Sequence, residues 1–151
     1  MDLANELLGY MYSIEGVIEH GFKRGSTLLK FPTANLGANP DYLMPSSGVY
    51  AGFVYVDDTF YGAMINVGNN PTFENTKISI EAHIFDQDIY ERQVRFFFLK
   101  KTRNEIRFDG FEALKKQLQS DIVTCKNVIL YEKQYVAKTA SLWDAKVFEF
   151  K

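Results

Sequence analysis

Thr33 and Asn35 form the first pair in this sequence whose types and spacing favour a defined chemistry. They stand two positions apart, and alternate residues of an extended strand point to the same side. A hydroxyl and a carboxamide oxygen would then meet at one point, and such oxygen donors suit Mg²⁺ carried on a nucleotide phosphate. Pro32 restricts the backbone just before the pair. The alternative is a plain strand end, because threonine favours strands and asparagine often ends them.

A basic loop containing glycines precedes this pair, with Gly21, Lys23, Arg24 and Gly25 as its main residues. The glycines allow backbone amides to face an anion, and the two cations add positive charge. The spacing does not match a P-loop. The loop is therefore a candidate phosphate-binding segment, and a solvated basic turn is the alternative.

Glu81 is a candidate general base because it interrupts an apolar strand pattern. Ile80 and Ala82 flank it, so its side chain lies on the face opposite the apolar stripe. A carboxylate there can accept a proton from an attacking hydroxyl. The alternative is an ordinary outward-facing glutamate. His83 lies on the same face. It is either a partner of Glu81 or an ordinary strand histidine whose hydrogen bonds are satisfied.

Arg103 and Glu105 lie between the last predicted strand and a predicted helix. An exposed ion pair of small energetic value is the simplest interpretation of these two residues. The helix that follows is predicted to begin with a capping box formed by Asp109 and Glu112. Its buried face is predicted from helical spacing to contain Phe111, Leu114, Leu118 and Ile122.

Strand patterns separated by turn residues position these candidates. A tight turn at Asp57-Asp58 predicts a hairpin, and Gly68–Pro71 predicts a second turn. A short helix is expected at the N-terminus. Several short strands followed by one late helix favour a mainly β fold, a closed antiparallel barrel with a helix packed on it. The strand segments are Ser13–Glu19, Gly48–Val56, Phe60–Val67, Ile78–Ile84 and Gln93–Leu99.

Composition excludes several classes of protein. The chain has 151 residues, 46% of them hydrophobic, and a net charge of -2, which suits one globular domain without affinity for nucleic acid or an anionic membrane. Cys125 is the only cysteine, so neither an intramolecular disulfide nor a cysteine-based zinc site is expected. No apolar run has transmembrane length and no signal peptide is recognisable, so a cytoplasmic location is expected.

Several segments in one shared order resemble the riboflavin kinase (flavokinase) domain, as found in the C-terminal half of bacterial bifunctional riboflavin kinase/FMN adenylyltransferases. The resemblance runs from about Ala4 to Asp121. Each segment alone is modest, and their common order is specific. The segments are Ile14–Gly21, Arg24-Gly25, Phe31–Leu36, Gly48–Ala51, Asn66–Phe73, Glu81–Ile84, Asp88–Tyr90 and Arg103–Phe108, continuing to Gln117 and Asp121.

The resemblance implies a six-stranded antiparallel Greek-key β-barrel with a C-terminal α-helix. The implied activity is that of an ATP:riboflavin 5′-phosphotransferase, which transfers the γ-phosphoryl group of ATP to the ribityl 5′-hydroxyl of riboflavin and gives FMN. Thr33 and Asn35 would hold Mg²⁺ and nucleotide phosphates, and Glu81 would be the general base. The loop of Gly21, Lys23, Arg24 and Gly25 would cover the nucleotide. Arg103 would belong to the catalytic site, where its segment helps to close over the flavin.

Two departures from the family pattern motivate a second hypothesis. Lys30 stands where the family usually has glycine, and the turn after Ile84 is about two residues short. The alternative is thus a catalytically impaired flavin- or nucleotide-binding regulatory module. The predicted division is a lead-in helix (1–13), a kinase-like barrel with its helix (14–124) and a C-terminal extension of unknown role (125–151). No nucleotidyltransferase motif is present, which leaves room for an adenylyltransferase domain or protein supplied separately.

Overall fold

The computed structural model describes residues 5, 11–19, 34–38, 44–71, 76–86, 93–106 and 108–150. These residues form a mainly β fold, as predicted, with two helices near the C-terminus. Of the predicted N-terminal helix, Asn5 is described and is helical, and the rest lies outside the described residues. The elements are β1 (Tyr12–Glu19), β2 (Ala34–Ala38), β3 (Gly48–Val56), β4 (Thr59–Pro71), β5 (Thr76–Ile84), β6 (Gln93–Arg103), α1 (Phe111–Tyr131), α2 (Lys133–Leu142) and β7 (Lys146–Val147).

The first six strands form one curled antiparallel sheet. Their order is β3-β6-β1-β2-β5-β4, and β3 also pairs with β4, so the pairings return to their starting strand. The short β7 lies parallel to the beginning of β4, opposite Thr59 and Phe60. Because β5 pairs with β4 only from Ala63 onward, β7 occupies an edge of β4 that β5 leaves uncovered.

The hairpin of β3 and β4 confirms the predicted turn. Asp57 and Asp58 both have positive φ, 49° and 61°. Two successive residues of this kind make the turn whose twist matches paired antiparallel strands, and aspartate tolerates the conformation better than most side chains. The pairing then runs without interruption from Val56–Thr59 to Gly48–Val67.

The second predicted turn is wrong, because Gly68–Pro71 continues β4. These residues pair with Thr76–Ser79 of β5, so their backbone groups have ladder partners in spite of their turn-forming types. Proline is tolerated at the last position because a strand end needs no further ladder donor. The extension carries the sheet beyond the point where sequence patterns alone would end it.

Two apolar clusters lie on opposite sides of the sheet. One fills its interior and contains Ile14, Tyr50 and Phe96; the other lies beneath the helices and contains Phe53, Phe97 and Cys125. Since α1 packs on β3, β4 and β6, these three strands carry buried side chains on both faces.

The start of α1 differs from the predicted capping box. Gly110 is the N-cap residue and no side chain caps the helix. Gly110 has φ 152°, a conformation that suits glycine and moves the helix start one residue past Asp109. Phe111 is exposed rather than buried, while Leu118 and Ile122 pack against the cluster beneath the helices. The face buried by α1 is centred on Asp121, Cys125 and Ile129.

Helix α2 is hydrogen-bonded to two residues near the N-terminus, Asn5 and Met11, and Asn5 is also hydrogen-bonded to the sheet. The Tyr135 hydroxyl donates to the carbonyl of Asn5 (3.0 Å), and the backbone N–H of Met11 donates to the Thr139 hydroxyl (3.3 Å). The Asn5 amide in turn donates to two carbonyls of β6, at 2.9 Å each. The division of the chain at 124/125 stays a prediction, and α1 runs through that position.

Candidate active site

Glu81 lies at the centre of a polar row that crosses three strands. It is directly opposite Asn35 of β2 on one side and Asn66 of β4 on the other. The same row continues through Val49 of β3 to Arg103 of β6. The pairing therefore brings two predicted site residues, Asn35 and Glu81, to adjacent strands, and places Arg103 further along the same line.

The surroundings of Glu81 alter its acidity. Its neighbours Ile80 and Ala82 point into the core and are buried, so Glu81 emerges on the opposite face, half-buried. Burial raises the pKa of the Glu81 carboxyl above its ordinary value, because the charged form loses hydration. A raised pKa makes a carboxylate a better proton acceptor as long as it remains ionised.

An open cleft of about 390 Å³ begins at Asn66 and lies between the end of β6 and the start of α1. Its lining combines apolar side chains with amide, guanidinium and carboxylate groups. The lining residues are Asn66, Arg103, Glu105, Ile106, Phe108, Gly110, Phe111 and Leu114. Because Asn66 both lines the cleft and pairs with Glu81, the polar row and the cleft are continuous.

Arg103 forms its ion pair with Asp121 rather than with Glu105. Its Nη2 lies 2.7 Å from Asp121 Oδ2, and the Asp121 carboxylate is buried. The carboxylate of Glu105 lies instead over Gly68, where an added Cβ would come within 3.2 Å of Oε1. The interpretation of Arg103 and Glu105 as an exposed ion pair is therefore wrong, because β6 ends with Arg103 directed towards α1.

The predicted nucleotide loop falls outside the described residues. This applies to Gly21, Lys23, Arg24, Gly25 and Thr33, whose roles stay predictions. The backbone of Asn35 is described and lies opposite Glu81, and the predicted role of Asn35 stays a prediction. His83 contacts Phe85, with ring centres 5.7 Å apart.

Asn66 in the candidate site and Asp121 beside it had no role assigned from the sequence. Both positions stand out in the sequence as polar residues in apolar surroundings. Asn66 is an amide inside a long apolar strand, and Asp121 is an acid on the apolar stripe of a helix that also carries Leu118 and Cys125. Asp121 is buried, and a buried carboxylate needs a partner, whereas Asn66 is exposed on the face opposite its buried neighbours. The identity of the partner of Asp121 depends on the fold.

Among the described residues, no group of three or more His, Cys, Asp or Glu side chains could hold a metal ion. No helix in the part of the chain that the structure describes is long and apolar enough to cross a membrane.

The curled six-stranded sheet, its outer helix and the polar row beside the cleft define a small β domain with an open cleft at its surface. Comparison with known proteins identifies the family. A family model described as Flavokinase: Riboflavin kinase matches residues 8–129. The chain belongs to this family, as its resemblance in sequence predicted.

Curated relatives support the same assignment. The bifunctional riboflavin kinase/FMN adenylyltransferase of Bacillus subtilis (strain 168) is 40% identical over 126 residues, covering 80% of this chain and 40% of the relative. The enzyme of the same name from Escherichia coli (strain K12) is 35% identical over 127 residues, covering 82% of this chain and 40% of the relative. The chain thus spans about two-fifths of the length of these relatives.

A solved structure confirms the fold. The crystal structure described as a macrolide-efflux protein from Streptococcus pneumoniae superimposes with a TM-score of 0.77 at 37% identity. The match covers 83% of this chain and 41% of that one. The order and curvature of the strands are therefore shared with an experimentally determined domain.

Proposed function

We propose that this chain transfers the γ-phosphoryl group of ATP to the ribityl 5′-hydroxyl of riboflavin, giving FMN and ADP. Glu81 removes the proton of the hydroxyl as its oxygen forms a bond to the γ-phosphorus, and the bond from that phosphorus to the β–γ bridging oxygen breaks. The observation that carries the proposal is the row Asn35–Glu81–Asn66, which sets a half-buried carboxylate beside an aromatic-lined cleft.

The cleft suits a ligand with a flat apolar ring system and polar edges. Phe108, Phe111 and Leu114 supply apolar surface, while Asn66 and Arg103 supply hydrogen-bond donors. Phosphoryl transfer needs mainly positioning and neutralisation of charge, so one base and a few well-placed donors are sufficient protein parts.

Mg²⁺ and the nucleotide are assigned to Asn35 and to the segment before β2. The oxygens of the Thr33 hydroxyl and the Asn35 carboxamide are hard neutral donors that fit Mg²⁺, and nucleotide phosphates and water would complete its coordination. When bound, the ion neutralises charge on the phosphates. Gly21, Lys23, Arg24 and Gly25 would cover the nucleotide. The position of Asn35 opposite Glu81 supports this arrangement.

The bifunctional relatives suggest the setting of the reaction. Their names combine the kinase with an FMN adenylyltransferase, and we propose that FMN made here passes to an adenylyltransferase domain or protein supplied separately. The cytoplasm is the proposed compartment, consistent with a single cysteine that is buried.

The deciding experiment measures FMN formation from riboflavin and Mg-ATP by chromatography. We expect turnover by the wild type and a loss of about 100- to 10,000-fold in kcat for Glu81→Gln, with the riboflavin Kd little changed. Glu149→Gln makes the same chemical change at an exposed position in the C-terminal segment and should leave kcat intact. A folded wild type that binds flavin without turnover would favour the regulatory module instead.

A further inference from the structure

Asp121 and Arg103 form a buried ion pair between α1 and the end of β6. Among the described residues, Asp121 is the only buried carboxylate, and its side chain is 5% exposed against 17% for Arg103. A buried charge is tolerated only when it is paired and hydrogen-bonded. The pair is therefore specific in its geometry and not a chance surface contact.

The carboxylate holds the guanidinium from one side. Arg103 Nε donates to Oδ1 and Oδ2 of Asp121 at 2.9 and 3.0 Å, and Nη2 donates to Oδ2 at 2.7 Å. Nη1 donates to the carbonyl of Asn104 at 3.0 Å. The guanidinium is a rigid plane, so bonds at three of its nitrogens fix its orientation.

Gln117 fixes the carboxylate in turn. Its Nε2 donates to Asp121 Oδ1 at 3.0 Å from one helical turn earlier. Gln117 and Asp121 do not line the cleft, whereas Arg103 does. The two α1 residues can thus affect a ligand only through Arg103.

The guanidinium of Arg103 has N–H donors left over for a ligand in the cleft. Arginine has five N–H groups, and the bonds from Nε, Nη1 and Nη2 use three of them among the described residues. The other two, one on each terminal nitrogen, form a fork that suits oxygen acceptors. We propose that Asp121 and Gln117 are positioning residues, which aim the fork of Arg103 at an oxygen of the substrate in the cleft. The inference rests on the proposed kinase activity.

A double-mutant cycle tests this coupling. Asp121→Asn should lower kcat/KM for riboflavin about 10- to 100-fold, because a misdirected donor no longer meets its acceptor. In an Arg103→Ala background, the same change should cost less than twofold. Equal losses in both backgrounds would overturn the positioning role, since Asp121 would then act independently of Arg103.

Two further variants separate positioning from folding. Gln117→Ala removes one bond to Asp121 without leaving a charge unpaired, and should lower kcat/KM by a few-fold with an unchanged unfolding midpoint. Asp144→Asn is the matched control for Asp121→Asn, because Asp144 is exposed and asparagine also accepts its φ of 50°. Full activity of Gln117→Ala together with full activity of Asp121→Asn would contradict the proposal.

A readout independent of turnover distinguishes this proposal from the proposed function. The Arg103 Nε–H resonance should be protected from solvent exchange in the wild type and should lose protection in Asp121→Asn. A wild type without FMN formation would overturn the kinase assignment, and riboflavin affinity measured by fluorescence quenching would then decide the role of Asp121. An unchanged Kd in Asp121→Asn would overturn that role as well.

Discussion

Strands β3 and β5 belong to the same sheet, yet β3 is buried on both faces and β5 on one. Val49, Ala51 and Phe53 of β3 pack beneath the helices, while Tyr50 and Val54 fill the interior. On β5 the inward residues Ile80, Ala82 and Ile84 are equally buried, but Glu81 and His83 on the outer face are half-buried. The difference follows from the position of α1, which packs on β3, β4 and β6.

The comparison shows how one sheet serves both stability and chemistry. Where a helix covers the outer face, aromatic residues form a second core, and a mutation there is expected to affect folding. Where the outer face is uncovered, a carboxylate can be partly desolvated and still reach a substrate. The polar row begins on β2 and β5 and meets the helix-covered region at Arg103.

Two phenylalanines, one beneath the helices and one at the cleft, give the largest expected difference. Phe97 is fully buried beneath the helices and contacts Phe60, with ring centres 4.7 Å apart; Phe111 is 42% exposed at the cleft. Phe97→Ala should lower the free energy of unfolding by about 3–5 kcal/mol. Phe111→Ala should change it by less than about 0.5 kcal/mol while raising KM for riboflavin. Denaturant unfolding measures the free energy of unfolding, and steady-state kinetics measures KM for riboflavin. Similar unfolding free energies in the two variants would contradict the view that the region beneath the helices serves stability and the cleft serves binding.

Glu81→Gln should stabilise the folded chain while it lowers kcat. Burial raises the pKa of Glu81, so the folded state binds this proton more tightly than the unfolded chain does. Wild-type stability therefore falls as pH rises through the interval between the ordinary and the raised pKa, a loss that glutamine does not suffer. The unfolding temperature of the variant should exceed that of the wild type near pH 7.5, and the difference should shrink towards pH 4.

The same titration of Glu81 should affect activity in the direction opposite to its effect on stability, so kcat should rise as pH rises. The base must be ionised, so kcat of the wild type should decrease as pH falls through the raised pKa of Glu81. A pH profile of kcat measures the position of this limb. A flat profile through the mildly acidic range would separate Glu81 from the proton transfer.

Cys125 gives the smallest and most local test. It is fully buried beside the helix-covered strands, and burial raises the pKa of its thiol to about 12. Since the thiolate is the reactive form, labelling by a thiol reagent at neutral pH should be slow in the folded protein and complete in denaturant. Rapid labelling under native conditions would show that α1 opens away from β3, and would weaken the contrast between the two faces.

Sequence patterns predicted the strands that alternate or carry a clear turn, and missed features that depend on a distant partner. The Asp57-Asp58 hairpin is local, so its residues specify it. The continuation of β4 through Gly68–Pro71 depends on β5, and the partner of Arg103 depends on the packing of α1. Glu81 was recognisable from its apolar neighbours, whereas its position opposite Asn66 depends on the register between β4 and β5, which the sequence alone does not specify.

The bonds that fasten Asn5 and Met11 to α2 join residues 128 to 130 positions apart. The family match ends at residue 129, before either of the α2 residues that make these bonds. During synthesis the segment preceding β1 leaves the ribosome well before Tyr135 and Thr139 exist. The bonds from Asn5 and Met11 to α2 can therefore form only after α2 has been synthesised. Removal of α2 should leave Asn5 held by its side-chain bonds to β6 and to Tyr12.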